Sequence, residues 1–130
     1  RLVVGDGAEV EASAAPGITD TLRDVTRLVK EHNSALLVAG CDGRIVGAVI
    51  AGWDGWRGNI YRLAVLPGFR RKGVATDLVR EACKMLGERG ARRISALVEH
   101  GTPRAMEFWD SLGHQGYKRD ARYMRFVKSA

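Results

Sequence analysis

The chain has 130 residues, 45% of them hydrophobic and 28% charged, which predicts one globular domain with its own core. No apolar run approaches the roughly 20 residues that span a bilayer. Cys41 and Cys83 show no metal-binding or redox spacing. We therefore expect a cytoplasmic protein without a membrane partner and without a metal site.

The net charge of +6 raises the question of nucleic-acid binding. Most lysines and arginines are spread along the chain, and only residues 69–73 form a dense basic cluster. No stripe of alternating aromatic and basic residues, of the kind that binds single strands, is present. The charge pattern therefore favours a phosphate-rich small molecule, and no nucleic acid, as the partner of the cluster.

The first third of the chain predicts a strand, a helix and a hairpin. Residues 1–4 suggest a first strand, which residues 9–12 would continue or replace. Apolar residues at helical spacing predict an amphipathic helix over residues 18–32. These residues are Ile18, Leu22, Val25 and Val29. After it, strands at 36–40 and 45–53 flank Asp42-Gly43, which is a strong hairpin signal.

A turn at residues 54–58 leads into a strand at 59–66. The stretch from Arg62 to Gly90 then predicts, in order, the end of this strand, a tight turn and a long helix. Pro67-Gly68 ends the strand. A basic turn follows, and then a long helix with one apolar face. That face consists of Ala75, Leu78, Val79, Ala82 and Leu86. Arg89-Gly90 predicts the end of the helix, with a cation in the last turn and a glycine beyond it.

The basic turn has the features of an anion site. The first N–H groups of a helix have no partner inside it, and the helix dipole favours a phosphate there. Gly73 has no Cβ to block a ligand, and Arg70, Arg71 and Lys72 add positive charge. The alternative is a solvated basic turn before an ordinary core helix, and the turn alone leaves both open.

The last third predicts a strand over residues 92–99, parallel to the strand before the long helix because a helix connects them. Thr102-Pro103 begins a further helix that ends near Gly113. Residues 117–118 and 122–127 predict a closing hairpin.

The pattern Arg70-x-x-Gly73-x-Ala75 resembles the Q/R-x-x-G-x-G/A signature of the GCN5-related N-acetyltransferases, the GNAT superfamily. Residues 51–65 are similar to those of small stand-alone bacterial members. The resemblance implies a single α/β domain over residues 1–130, with a mixed, mostly antiparallel twisted sheet, splayed central parallel strands and flanking helices. It also implies acetyl transfer from acetyl-CoA to a primary amine of a small molecule, peptide or protein.

The resemblance also implies which residues bind acetyl-CoA. The backbone of the splayed strand would pair with the pantetheine arm, and a main-chain N–H there would polarise the thioester carbonyl. Core packing is the alternative role of Leu63 and Val65. The implied cofactor-binding residues are Leu63, Ala64, Val65, Arg70, Arg71, Lys72, Gly73, Val74, Ala75, Thr76, Thr102 and Trp109.

The proton-transfer groups of the family are replaced in this chain. Its two glutamate positions correspond to Asn59 and Leu97, its tyrosine acid to Trp109, and its helix-start asparagine to Thr102. The remaining catalytic candidates are Glu99, His100 and Tyr61. Glu99 and His100 could instead be a solvated loop pair, and Tyr61 a structural tyrosine. The replacements favour a rival interpretation, a non-catalytic acyl-CoA-binding regulatory module.

The acceptor would enter opposite the cofactor, past the first helix, the 54–58 turn and the closing hairpin. Those elements are basic and aromatic, which predicts a neutral or acidic acceptor. They supply Thr26, Lys30, Trp56, Arg57, Tyr117 and Tyr123. A polycationic acceptor would instead point to Glu9, Glu11 and Asp54. Trp53 is a further candidate for the acceptor pocket, and we leave open a homodimer.

Overall fold

The structure, a computed structural model, describes residues 2–5, 22–30, 34–98 and 101–129. The chain divides into two compact units, Arg1–Ala96 and Leu97–Ala130. Among the described residues, the first unit contains the sheet and two α-helices, and the second contains one α-helix followed by an irregular segment.

A five-stranded sheet forms the frame of the first unit, with its strands in chain order. The first four strands are antiparallel neighbours, and the fifth is parallel to the fourth. The strands are β1 (Leu2–Gly5), β2 (Ser34–Cys41), β3 (Arg44–Trp53), β4 (Gly58–Val65) and β5 (Ile94–Ala96). The predicted mixed, mostly antiparallel sheet is therefore confirmed, as is the hairpin between β2 and β3. Asp42 and Gly43 both have positive φ there, which is the geometry of a tight two-residue turn.

Helix α2 (Val74–Arg89) connects β4 to β5 and covers one face of the sheet. Its buried residues are Leu78, Val79, Ala82 and Leu86, all of which belong to the predicted apolar face. It approaches the sheet closely at two glycines. A Cβ at Gly47 would lie 3.1 Å from Leu78 Cδ1, and one at Gly58 would lie 2.9 Å from Leu86 Cδ1.

The opposite face of the sheet is covered by helix α1 (Leu22–Lys30). Leu28 packs against Leu36, Val38, Ala48 and Ile50. Ala48 follows Gly47, so the two point to opposite faces of β3, and α1 and α2 lie on opposite sides. The predicted helix extended over 18–32, but residues 18–21 and 31–32 lie outside the described ranges. Leu22, expected on the apolar face, is exposed.

In the second unit, helix α3 (Pro103–Ser111) begins with proline in its first turn, as predicted, and runs into a 3-10 turn at Leu112–Gln115. Gly116 follows in the left-handed conformation, and the N–H of Tyr117 donates to the carbonyl of Leu112 at 3.4 Å. Trp109 makes edge-to-face contacts with Phe108 and Tyr117.

Two predictions for the end of the chain are wrong. The fifth strand was expected to span residues 92–99, but it contains only Ile94–Ala96, and the following Leu97 and Val98 are not in a strand. The closing hairpin is absent, because residues 117–129, all of which the structure describes, contain no strand. Their apolar side chains have no buried face: Phe126 is 91% exposed. A hairpin with no apolar face to bury is marginal in water.

Candidate active site

Strand β4 changes direction at a β-bulge. Its register with β3 pairs Ile50 with Tyr61 and Ala48 with Ala64, so two residues, Arg62 and Leu63, lie opposite Val49 alone. Arg62 occupies the left-handed region with φ +52°. This conformation is uncommon for a residue with a side chain, and such outliers concentrate at functional sites.

The bulge coincides with the end of the parallel pairing. Strand β4 pairs with β5 only over Gly58, Asn59 and Ile60, and no described residue of β5 pairs with β4 after that point. The pairing with β3 continues to Val65. The second half of β4 therefore presents backbone N–H and C=O groups on the edge opposite β3. Leu63, Ala64 and Val65 lie in this half, which is where a splayed strand pair was predicted.

A tight turn follows β4 and leads directly into α2. Pro67–Phe69 form a 3-10 turn, Arg71 has φ +62° and Gly73 has φ +82°. The first intrahelical bond runs from the N–H of Asp77 to the carbonyl of Gly73 at 3.0 Å, and no side chain caps the helix. The N–H groups of Val74, Ala75 and Thr76 precede that bond, so they are the donors that a helix offers to an anion.

Space above the turn is open at Gly73. A Cβ built there would meet no atom within 4 Å, so the glycine is required by its positive φ and not by packing. Arg70 is half-buried, and its Nε donates to the carbonyl of Val65 at 3.1 Å. It therefore ties the turn to the end of β4, and that carbonyl is already engaged.

Two further cations lie beside the ring of Phe69. The Lys72 Nζ is 5.5 Å from the ring centroid, and the Arg44 Cζ is 5.8 Å from it. Arg44 begins β3, and in the sequence it lies far from the dense basic cluster at residues 69–73. Arg44 lies beside the basic turn because β3 pairs with β4, and local sequence patterns do not predict that pairing.

Tyr61 lies between the last β4–β5 pair and the bulge. Its cross-strand partner Ile50 belongs to the α1 face, so Tyr61 also points to that face. The ring passes over Gly52, where a Cβ would lie 3.4 Å from Tyr61 Cε2. Tyr61 is 38% exposed, so solvent reaches it. Of the three catalytic candidates, it is the one within the described residues, because Glu99 and His100 lie outside them.

The turn between β3 and β4 presents an aromatic ring with a cation against it. Asp54 Oδ1 accepts the N–H groups of Trp56 at 2.8 Å and Arg57 at 2.7 Å. These hydrogen bonds, the one from Arg57 first, lower the pKa of the Asp54 carboxyl. The Arg57 guanidinium lies 3.9 Å from the centroid of Trp56, which is 70% exposed. Trp53 lies instead on the α2 face, beside Gly90.

Two of the predicted cofactor-binding residues, Thr102 and Trp109, belong to the second unit. Thr102 is the N-cap of α3, and its carbonyl accepts the N–H of Met106 at 3.1 Å. Trp109 is half-buried in the aromatic cluster with Phe108 and Tyr117. Arg119 donates two hydrogen bonds to Asp110, at 3.0 and 2.6 Å, which lower the pKa of that carboxyl.

Two classes of site find no support in the described ranges. No cluster of three or more His, Cys, Asp or Glu side chains there could hold a metal ion. Every helix in the same ranges is too short or too polar to cross a membrane.

A family model described as the acetyltransferase (GNAT) family matches residues 9–114, which is most of the chain. The chain belongs to the GNAT acetyltransferase family. It is therefore an acetyl-CoA-dependent N-acetyltransferase, with acetyl-CoA as the co-substrate.

Solved structures share the fold of this GNAT protein. A complex of AAC(6')-Iy with the bisubstrate analogue CoA-S-monomethyl-acetylneamine has a TM-score of 0.72 at 21% identity, over 88% of this chain and 84% of that chain. A transcriptional regulator from Bacillus halodurans C-125 has a TM-score of 0.69 at 22% identity, over 84% and 74%. The apo aminoglycoside 6'-N-acetyltransferase AAC(6')-IG from Acinetobacter haemolyticus has a TM-score of 0.65 at 22% identity, over 82% and 80%.

Proposed function

We propose that this protein transfers the acetyl group of acetyl-CoA to a primary amine of a small molecule or peptide that is not polycationic. The observation that carries the proposal is the pairing of two features at one end of β4. From the bulge at Arg62 onward, β4 pairs with β3 but not with any described residue of β5. Gly73, which has a positive φ, precedes the following helix, and a Cβ there would meet no atom within 4 Å. Together they offer a backbone track and an anion site in sequence.

The backbone track and the anion site would each bind a different part of acetyl-CoA. The freed edge at Leu63, Ala64 and Val65 offers groups that pair with the amides of the pantetheine arm. The carbonyl of Val65 is the exception, because Arg70 already donates to it. The diphosphate would lie on the N–H groups that open α2, with Arg71 supplying charge.

Catalysis by this arrangement rests on position and polarisation. A backbone N–H at the bulge stabilises the oxyanion that forms when the amine attacks the thioester carbonyl. The nitrogen forms a bond to the carbonyl carbon, the carbon–sulfur bond breaks, and the CoA thiolate leaves and takes up a proton. Holding the amine against the thioester removes much of the entropic barrier.

The amine must lose a proton before or during its attack. We assign Tyr61 to the ordering of a water that carries this proton, because the ring lies beside the bulge on the face away from α2. Glu99 and His100 remain candidates for the next step of the relay. Thr102 and Trp109 are proposed to contact the donor, as the family resemblance implies.

The charge of the described acceptor side argues against a polycation. Helix α1, on the same face as Tyr61, carries Arg23, Arg27 and Lys30 against Asp24. In the β3–β4 turn, the carboxylate of Asp54 already accepts two backbone hydrogen bonds, which leaves it less able to bind an ammonium group. An acceptor with several ammonium groups would meet net repulsion there, whereas a neutral or acidic amine would not.

A regulatory acyl-CoA-binding module is the second candidate. The observation that favours it is the replacement of the family's glutamate by Asn59 and of its tyrosine by Trp109. A protein named as a transcriptional regulator shares the fold. Release of free CoA thiol in the presence of an amine panel separates the two, because a binding module would release none.

The test of the donor site is Gly73→Glu, with Gly55→Glu as its matched control. Both glycines have left-handed φ and no atom within 4 Å of a Cβ, so both variants carry the same strain and the same charge. We expect Gly73→Glu to abolish the stabilisation by CoA in thermal unfolding. That stabilisation is about 2.7 kcal/mol at a hundredfold excess over Kd in the wild type. Gly55→Glu should retain it, and equal CoA binding by both variants would refute the site.

A further inference from the structure

The cations at the basic turn outnumber the charges of a diphosphate. Arg44, Arg71 and Lys72 are exposed, and no carboxylate in the described part of the chain forms an ion pair with any of them. Asp77, the acid in the first turn of α2, is instead bonded to Arg80 at 3.1 Å. With Arg70, four positive groups gather at this end of the sheet.

Two of these cations share one aromatic ring. Phe69 is half-buried in the 3-10 turn, and Lys72 and Arg44 both lie within 6 Å of its centroid, at 5.5 and 5.8 Å. The attraction of each cation to the ring helps to hold both against their mutual repulsion. Because Arg44 starts β3 while Lys72 follows β4, the pair bridges two segments. It therefore forms a second positive centre next to the helix N-terminus.

The shape of the donor explains why two centres would be present. CoA carries a diphosphate and, on its ribose, a separate 3′-phosphate monoester. The monoester bears roughly −1.5 to −2 charge at neutral pH. The helix N–H groups with Arg71 fit the diphosphate, which leaves the ring-held pair without a partner. We infer that Arg44 and Lys72, held by Phe69, bind the 3′-phosphate of CoA and make the protein selective for CoA over its 3′-dephospho form.

This inference rests on the proposed donor site and is tested by comparing two donors. Affinity for CoA and for 3′-dephospho-CoA is measured by calorimetry in the wild type, Arg44→Gln and Lys72→Gln. The matched controls are Arg23→Gln on α1 and Lys84→Gln on α2, which remove one exposed charge elsewhere. We expect the wild type to prefer CoA by about tenfold, a preference that each turn variant reduces by about threefold and neither control changes. Phe69→Leu should reduce the preference as well, because the ring is lost while both charges stay.

The outcomes separate the inference from the function that it extends. Equal affinity of the wild type for both donors overturns the inference and leaves the diphosphate site intact. Equal weakening of both donors in Arg44→Gln also overturns it, because the cluster would then serve the diphosphate. Failure of the wild type to bind either donor refutes the donor site itself. A preference that weakens with added salt more steeply in the wild type than in Arg44→Gln would support the inference, since exposed charges are screened.

Discussion

Arg62 is the residue at which β4 stops being a regular strand. Its left-handed φ of +52° lets Arg62 and Leu63 occupy the length of one partner residue on β3. An L-residue pays of order 1–2 kcal/mol for this conformation, whereas glycine adopts it freely. This energetic cost is consistent with a functional role of the bulge, which is to expose backbone groups along the edge of β4.

Substitutions at Arg62 should therefore separate backbone shape from side-chain chemistry. We expect Arg62→Gly to keep the free energy of unfolding within about 1 kcal/mol of the wild type, because it relieves the strain. Arg62→Val should lower it by about 1–2 kcal/mol and reduce kcat, because a β-branched residue resists positive φ. Urea unfolding and steady-state kinetics measure both effects. Equal stability of the two variants would show that the bulge does not depend on this conformation.

Asp54 determines the shape of the β3–β4 turn through its charge. Its pKa is lower in the folded protein than the ordinary value of 3.8, because the carboxylate accepts the N–H groups of Arg57 and Trp56. The resulting stabilisation is present above the ordinary pKa and is lost as the pH falls through the lowered one.

Asp54→Asn tests this contribution, since the amide oxygen can accept the same bonds without a charge. At neutral pH the variant should melt at a lower temperature than the wild type. The gap should be constant near neutral pH and should close as the pH falls below the ordinary value of 3.8 and through the lowered pKa, where the wild-type carboxyl takes up its proton. Thermal melts across that range measure it, with Asp42→Asn in the β2–β3 turn as the control. A gap that stays constant over the range would contradict the assignment.

At the scale of elements, the sheet and α2 pack closely at Gly47. A Cβ there would lie 3.1 Å from Ala64 O, Leu78 Cδ1 and Val74 Cγ1, and the first of these is backbone that cannot rotate away. The close approach places the start of α2 directly over the end of β4. The anion site and the freed strand edge are therefore held together by packing.

Gly47→Ala should push α2 away from the sheet and lower the free energy of unfolding by about 1–3 kcal/mol. CoA affinity should fall with it, because the helix N-terminus moves relative to β4. Gly87→Ala provides the contrast within α2, since a Cβ there meets no atom within 4 Å. That variant should gain about 0.5–1 kcal/mol from helix propensity. Chemical unfolding of both measures the difference, and a neutral Gly47→Ala would show that the helix can shift without cost.

At the scale of the whole molecule, the sequence predicted those parts that local patterns determine. Asp42-Gly43, the apolar face of α2 and the Gly90 cap needed no long-range information, and all three are confirmed. The bulge at Arg62 follows from pairing with β3, and so does the position of Arg44 beside Phe69.

The errors at the end of the chain have the same origin. Alternation over residues 92–99 suggested a strand more than twice as long as the observed Ile94–Ala96, because alternation cannot show where a partner strand turns away. The residues at 117–118 and 122–127 suggested a final hairpin, but the apolar residues of the second segment are exposed. The functional assignment depended on the turn motif, which is local in sequence and for that reason was readable before the fold.

The net charge of +6 bears on the proposed acceptor class, for which solved structures that share the fold offer a contrast. Two of them, AAC(6')-Iy and AAC(6')-IG, are named as aminoglycoside N-acetyltransferases. Here α1 places Arg23, Arg27 and Lys30 on the face of Tyr61. We expect a neutral or acidic amine to give a kcat/KM about tenfold above that of a matched polyamine at low salt. The gap should narrow as salt rises, since repulsion between exposed charges is screened.

The assay compares acceptors that share a primary amine and differ only in net charge, with free CoA thiol as the readout. Arg27→Gln, which removes one cation from α1, should raise kcat/KM for the polyamine and leave that for the neutral amine unchanged. Lys84→Gln on α2, on the opposite face of the sheet, is the charge-matched control and should change neither. A preference for the polyamine in the wild type would contradict the proposed acceptor class and would move the search to Glu9, Glu11 and Asp54. Because CoA release is scored for every acceptor, that outcome would still leave the acetyl transfer itself established.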